Sequence, residues 1–328
     1  LHAIVQRSPK DGNSAPADHP EAKHYTTTQD LLADSAVDVI VVTTPPDNHF
    51  DLTKAALESG KHVLTEKPFV PTSAEAEKLI DIAKANNRLI CVYQNRRWDS
   101  DFLTVKHLLS KGTLGRVFEY NTHFDRYKAE AATNWKGELG IPQGGSAIFD
   151  LGTHLIDQAY VLFGMPQSVH GRVLSQRAGK PDYFNPDAVS AELTYPDGKL
   201  IKVNISAMSA EVVQQRFWIR GTQGSFHKTG LDLQEDQLKA GQKPTAAGFG
   251  KDAPECMRLT VIADGKPVEQ AVPDLQPETY MTFYKAFANA VETGKEEDIP
   301  VKPTEARDVL RIIEAVLESA KSGKDVTF

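Results

Sequence analysis

Hydrophobic positions in the amino-terminal part of the chain come in short continuous runs, with amphipathic stretches between them. The runs are Leu1 to Gln6, Val37 to Thr43 (β-branched except for Asp38), His62 to Thr65 and Leu89 to Tyr93. Each has the length and continuity of a parallel strand buried on both faces. Between them, Asn48 to Ser59 places Leu52, Ala55, Ala56 and Ser59 on one side before Gly60 stops it. Ser73 with Glu75 to Glu77 opens a second helix that runs through Leu79, Ile80 and Ala83. Strand and helix in alternation predict a Rossmann-type doubly wound parallel sheet over residues 1–95.

From residue 96 onward the pattern changes. The spacing predicts a helix from Ser100 to Ser110, an alternating strand from Arg116 to Phe124 and a helix from Ser146 to Phe163. Strands follow near Ala188 to Leu193, Leu200 to Ser206 and Arg216 to Arg220, with turns such as Pro196-Asp197-Gly198 between them. Helices from Glu278 to Glu292 and from Thr304 to Ser322 close the chain, Pro303 marking the start of the second. Leu233 to Gly265, rich in Gly, Lys, Gln and Asp, reads as loop. Residues 96–328 are therefore expected to form an α+β domain with a large, mostly antiparallel open sheet, serving substrate binding and oligomerisation. An open sheet with one uncovered face often pairs with a copy of itself, so a homodimer or homotetramer is expected.

Composition narrows the function. A chain of 328 residues with 40% hydrophobic content suits two globular domains. Its net charge of -7, without blocks of Lys or Arg, argues against a nucleic-acid partner. The two cysteines, Cys91 and Cys256, lie far apart in a chain without a secretory leader, which fits a reducing, cytoplasmic setting. No apolar stretch approaches the ~20 residues of a membrane-spanning helix. No metal site is expected.

The candidate chemistry starts at Glu66-Lys67-Pro68. A lysine at the carboxyl end of a buried parallel strand sits where α/β sheets hold ligands, so its ammonium can meet a substrate oxygen; a charged turn closed by proline is the plain alternative. In Ser146 to Phe163, Asp150, His154 and Asp157 fall on one stripe at ~100° per residue, opposite Ile148, Leu151, Leu155, Ala159 and Leu162. A carboxylate one turn before a histidine can hold its ring and raise its pKa, and an exposed i,i+4 pair is the alternative. Gly144-Gly145 just ahead allow close approach of backbone to a ligand, or a tight turn.

Thr43-Thr44-Pro45-Pro46-Asp47-Asn48-His49 leads from a strand into a helix, so its hydroxyls and the helix's first free N–H groups face the ligand crevice; a proline turn capped by Asn48 is the simpler account. Arg7-Ser8 ends the first visible strand, where arginine suits the extra phosphate of NADP and an acid would suit NAD. Asn95-Arg96-Arg97-Trp98 joins the two halves and either lines the cleft or forms a packed hinge. Arg126-Tyr127 is a polar wall for a polyol or an ordinary sheet edge.

Together, Glu66-Lys67-Pro68, the Thr43 to His49 segment and Gly144-Gly145-Ser146 through Asp150-Leu151-Gly152-Thr153-His154 resemble the glucose-fructose oxidoreductase / inositol dehydrogenase / rhizopine-catabolism (Gfo/Idh/MocA) family over nearly the whole chain. Tyr93 to Lys106 and Asp150 to Gln158 look like its NADP-dependent scyllo-inositol dehydrogenase branch. The resemblance implies an oxidoreductase using NADP, or NAD, on a sugar or polyol. It implies Lys67, Asp150 and His154 as the catalytic set. Arg7, Ser8, Thr43, Thr44, Pro45, Asn48, His49, Glu66, Lys67 and Asn95 would face the cofactor, and Arg97, Arg126, Tyr127, Asp150 and His154 the substrate. In that mechanism Lys67 polarises the oxygen and His154, oriented by Asp150, accepts the proton, although lysine and histidine can trade the base role.

The family opens with a strand and a G-x-G-x-x-G turn, and Leu1 corresponds to its second strand. Roughly thirty residues, one βα unit with its linker, are therefore expected ahead of Leu1 in the functional molecule. Two other readings share the fold: a sensor that binds a dinucleotide without turnover, and a glycosidase that uses NAD transiently. The joint presence of Lys67, Asp150 and His154 favours chemistry over the first, and Arg7-Ser8 weighs against the second.

Overall fold

The continuous apolar runs become parallel strands, covered on both faces in the middle of the sheet and partly exposed at its margin. In the computed structural model, which describes residues 1–10 and 12–328, these are β1 (Ala3–Val5), β2 (Lys23–Tyr25), β3 (Val39–Val42), β4 (His62–Thr65) and β5 (Ile90–Val92). Val63, Leu64, Ile90, Cys91 and Val92 are all buried, as central parallel strands require. The strands form two parallel ladders, β1–β2 and β3–β4–β5, and no backbone pairing joins the two ladders among the described residues. The helix Ser73–Ala85 starts on a capping box, in which Thr72 Oγ1 accepts the Glu75 N–H and Glu75 Oε2 accepts the Thr72 N–H, both at 3.2 Å. Asn48 does not cap its helix. It lies in a 3-10 turn, Pro46–Asn48, and its amide donates to Asp47 instead.

The second domain is built on β6 (Val117–Asp125), β7 (Ser168–Ser175), β8 (Lys180–Pro181), β9 (Ala188–Thr194), β10 (Leu200–Ser206), β11 (Gln215–Gly221), β12 (Gly224–Thr229), β13 (Met257–Ala263), β14 (Lys266–Gln270) and β15 (Val326–Thr327). They form one ten-stranded sheet in the order β14-β13-β12-β11-β6-β10-β9-β7-β15, with β8 paired to β7. Every pairing is antiparallel except β6 with β10. The helix Pro303–Ser322 packs on both β7 and the Rossmann helix Ser73–Ala85, and so ties the domains together. Its Glu314 accepts from the Ser73 backbone and hydroxyl at 2.7 and 2.6 Å, and its Arg307 reaches Glu77 at 2.7 Å.

Two segments depart from the sequence reading. Residues 233–265, expected as loop, contain a short helix, Gln234–Lys239, and all of β13. The polar turns on either side mask Met257–Ala263, which becomes a strand only by pairing with β12 and β14. β7 gives no apolar run because Gly171 stands between His170 and Arg172 at its centre. Glycine is needed there, since a Cβ at 171 would fall 2.4 Å from the Val316 carbonyl oxygen of the helix above. Among the described residues, no helix is long and apolar enough to cross a membrane.

Candidate active site

The carboxyl ends of β3 and β4 open onto a cleft of about 430 Å³ whose lining includes Thr43, Thr44, Lys67, Arg126, Lys136 and Asp150. Brief strands end abruptly at Thr43 and Glu66, so the polar residues that follow are placed at the sheet's rim. Lys67 donates from Nζ to the Asp150 backbone oxygen at 2.6 Å and to Asp150 Oδ1 at 2.9 Å. Two of its three donors are thus used, which leaves one for an incoming oxygen. Asp150 also receives Lys136 Nζ at 3.1 and 3.3 Å, and Arg126 approaches it to 3.7 Å. Burial alone would raise the Asp150 carboxyl, but the charges and hydrogen bonds of Lys67 and Lys136 outweigh it and hold the group well below the usual carboxylate range.

The stripe expected along Ser146 to Phe163 is divided among three partners. Ile148–Gly152 is a π-turn that precedes the α-helix Thr153–Phe163. Such a turn winds more widely than an α-helix, so the ~100° spacing does not carry through Asp150. Asp150 goes to the two lysines, and no hydrogen bond links it to His154. His154 is 5% exposed and its Nδ1 is buried without a partner. Burial, together with the charges of Lys67 and Arg96, pushes its pKa well below the ordinary histidine value. The expectation that Asp150 holds this ring and raises its pKa is therefore corrected: Asp150 orients Lys67, and His154 stays neutral.

Asp157 and Arg97 form a third, separate unit. Arg97 Nε and Nη2 reach Asp157 at 2.8 and 2.7 Å, and its Nη1 reaches Glu305 at 2.7 Å. A buried guanidinium fully taken up by two carboxylates is not offered to a ligand, so Arg97 moves from the substrate wall to the join between domains. Arg96 is held in the same hinge turn by Asp99 and Glu235, over the Phe124 ring.

Of the remaining predicted positions, Thr43, Thr44, Glu66 and Arg126 line the cleft. Pro45 and Asn48 lie in the turn beside it, and Asn95 in the 3-10 turn Asn95–Trp98. None of these three contributes to the lining. Tyr127 is exposed, bridges the backbone of Met208 and stands outside it too. His49 is buried, with Nδ1 2.8 Å from the Pro68 carbonyl and Nε2 2.9 Å from that of Thr44, so it fastens the two strand-end turns to each other rather than facing a cofactor. Burial holds its pKa below the ordinary value. Arg7 and Ser8 are exposed beyond β1.

Lys136, Lys128 and Ser146 line the cleft but were not singled out from sequence. Residues 128–145 lack periodicity, and the only available signal was the basic–aromatic pair Trp135-Lys136 behind Asn134, whose side chain caps the short helix Trp135–Glu138. Ser146 has φ 83°, a strained value outside glycine, and its hydroxyl is buried without a partner. Gly145 provides close approach, but to protein: a Cβ there would sit 2.1 Å from the Leu139 carbonyl.

The residues present fit the nicotinamide end of a dinucleotide. Thr43, Thr44 and Lys67 end adjacent parallel strands at an open cleft, and Ser146 belongs to the same lining with its hydroxyl turned into the protein. Arg7 and Ser8 are exposed and do not line this cleft.

Known proteins resemble this chain over most of its length. Residues 1–94 match the Gfo/Idh/MocA family model described as an oxidoreductase family NAD-binding Rossmann fold, and residues 106–328 match that family's C-terminal alpha/beta domain. The scyllo-inositol 2-dehydrogenase (NADP(+)) IolW of Bacillus subtilis is 36% identical over 94% of this chain and 84% of its own length. D-xylose 1-dehydrogenase (NADP(+)) 2 of Haloferax volcanii is 26% identical over 92% and 84%. The structure of the oxidoreductase yvaA from Bacillus subtilis superposes with a TM-score of 0.89 at 33% identity, covering 100% of this chain and 91% of that one.

Proposed function

The chain belongs to the Gfo/Idh/MocA oxidoreductase family, and from that premise we propose that it is an NADP-dependent dehydrogenase acting on a carbinol of a sugar or cyclic polyol. The observation that carries this reading is the Lys67–Asp150 pair at the rim of the parallel strands, 2.9 Å apart and facing a ligand-sized cleft. The names of the inositol and xylose dehydrogenases among its relatives support both the substrate class and NADP.

The bound nicotinamide supplies a hydride acceptor or donor. Asp150 keeps Lys67 charged and aimed, so its remaining N–H meets the substrate oxygen and stabilises charge developing there. His154, whose Nδ1 is unpartnered although the residue is not itself part of the cleft lining, or Lys67 in its place, takes the proton. The histidine can do so because burial and the neighbouring cations keep the ring unprotonated. Thr43 and Thr44 offer hydroxyls that orient the ligand.

The direct test is reduction of NADP, and separately of NAD, followed by absorbance with a panel of inositols, aldoses, sugar acids and sugar phosphates. Turnover with at least one polyol, more efficient with NADP, is expected; no turnover with any member overturns the reading. The pH dependence is a second check. A base whose pKa is lowered stays active as pH falls, so the acid limb of kcat/KM for oxidation is expected below the ordinary histidine value of ~6.5. A limb at or above that value, or a His154→Asn variant that keeps both rate and profile, removes His154 from the role.

A further inference from the structure

Resting on the dehydrogenase reading, we infer that the preferred substrate bears an oxyanion, as in a sugar acid or a sugar phosphate, and that Lys128 and Arg126 bind that group on the second-domain wall of the cleft. The chain as a whole is acidic, at -7, yet this cleft gathers Lys67, Lys136, Arg126 and Lys128. Asp150 is the one carboxylate set among them, with Lys67 at 2.9 Å, Lys136 at 3.1 Å and Arg126 at 3.7 Å. It compensates the first two, while Arg126 is held only at long range and its Nε is buried without a hydrogen-bond partner. No carboxylate among the described residues lies within 4.0 Å of Lys128 Nζ.

The other acids of the lining are Glu66, Asp187 and Glu130, none of them within 4.0 Å of Lys128 Nζ. Glu66 accepts the Lys67 N–H at 3.2 Å, and burial raises its pKa against the charge of Lys67. Asp187 is closed against Arg177 at 2.8 Å, and Glu130 is exposed. A positive surplus is therefore left beside the reacting groups. The charge of Arg126, then burial, then Lys136 lower the pKa of Lys128, as expected where cations crowd one space. A neutral polyol offers hydroxyls that leave this surplus uncompensated. An oxyanion satisfies Arg126 and Lys128 together, and a cleft lined by one sign of charge concentrates such a ligand.

The test compares D-glucose with D-glucuronate and glucose 6-phosphate in the wild type and in Lys128→Gln. One charge-assisted contact corresponds to about ten- to a hundredfold in affinity, so kcat/KM for at least one anion should exceed that for glucose by that factor. The preference should shrink with added salt and collapse in K128Q, and whichever anion wins identifies the source of the oxyanion. Three results overturn the inference: glucose equal to or better than both anions, a preference unchanged in K128Q, or a K128Q defect confined to NADP affinity, which would assign these cations to the cofactor's phosphates. If neutral inositols turn over and neither anion is preferred, the dehydrogenase reading stands and this inference falls. If nothing turns over, saturable binding of glucuronate or glucose 6-phosphate to the NADP-loaded protein by calorimetry decides it, and absence of binding overturns it.

Discussion

Lys67→Ala is expected to lower kcat/KM by about 10²- to 10⁴-fold while leaving a folded protein, the range attached to a positioned proton-handling group. Lys67 is the one cation that joins the end of β4 to Asp150, and it holds both that residue's carboxylate and its backbone oxygen. Without it, Asp150 keeps Lys136 as a partner, so the site retains a charge-paired carboxylate and the fold is spared. The oxygen of the substrate then has no ammonium beside it. Steady-state rates with the best substrate of the panel, alongside circular dichroism, give the comparison. A variant within a few-fold of wild type would remove Lys67 from the chemistry, whatever the family resemblance implies.

The second large effect concerns stability. Arg97→Ala should destabilise the protein by about 3 to 5 kcal/mol, because it leaves Asp157 buried and charged with no counterion. Asp157 is 1% exposed, and both of its carboxylate oxygens are bonded to this one guanidinium. Burial already pushes the Asp157 carboxyl up despite Arg97, so loss of the cation favours its protonation and softens the penalty as pH falls. Denaturant titration at neutral and at mildly acidic pH tests both parts. The paired replacement Arg97→Met with Asp157→Leu should recover much of the loss. A Lys67-like fall in rate with unchanged stability would instead return Arg97 to the substrate wall.

These two residues mark the border of what sequence alone discloses. Glu66-Lys67-Pro68 was legible because a strand end fixes where a residue stands in an α/β sheet before any tertiary contact is known. Arg97 was not. Its position in the hinge could be read, but its partners come from Asp157 and Glu305, far along the chain, and no local pattern encodes such a meeting. Asp150 shows an intermediate case: its importance was visible, and its partner was misassigned because the π-turn at Ile148–Gly152 has no sequence signature that distinguishes it from an α-helix. The cationic wall was hidden for another reason. Residues 128–145 are neither periodic nor apolar, and their order comes from side-chain caps and from packing such as that of Gly140 on Phe184. The Rossmann alternation and the change of pattern near residue 95 were plain, whereas β13 and β7 needed neighbours that only the folded sheet supplies.

The parallel pairing of β6 with β10 governs how this chain must assemble in time. Asn121 of β6 meets Lys202 on one side and Trp218 on the other, partners that lie about eighty and about a hundred residues downstream. During synthesis at ~5–20 residues per second, β6 therefore emerges seconds before either flank exists. Its closure depends on long-range encounters, which slow folding more than local ones do. The amino-terminal strands β3, β4 and β5 face no such delay. The nascent molecule thus acquires the strand end that bears Lys67 first, while the wall that bears Arg126 waits for the chain to be nearly two-thirds made.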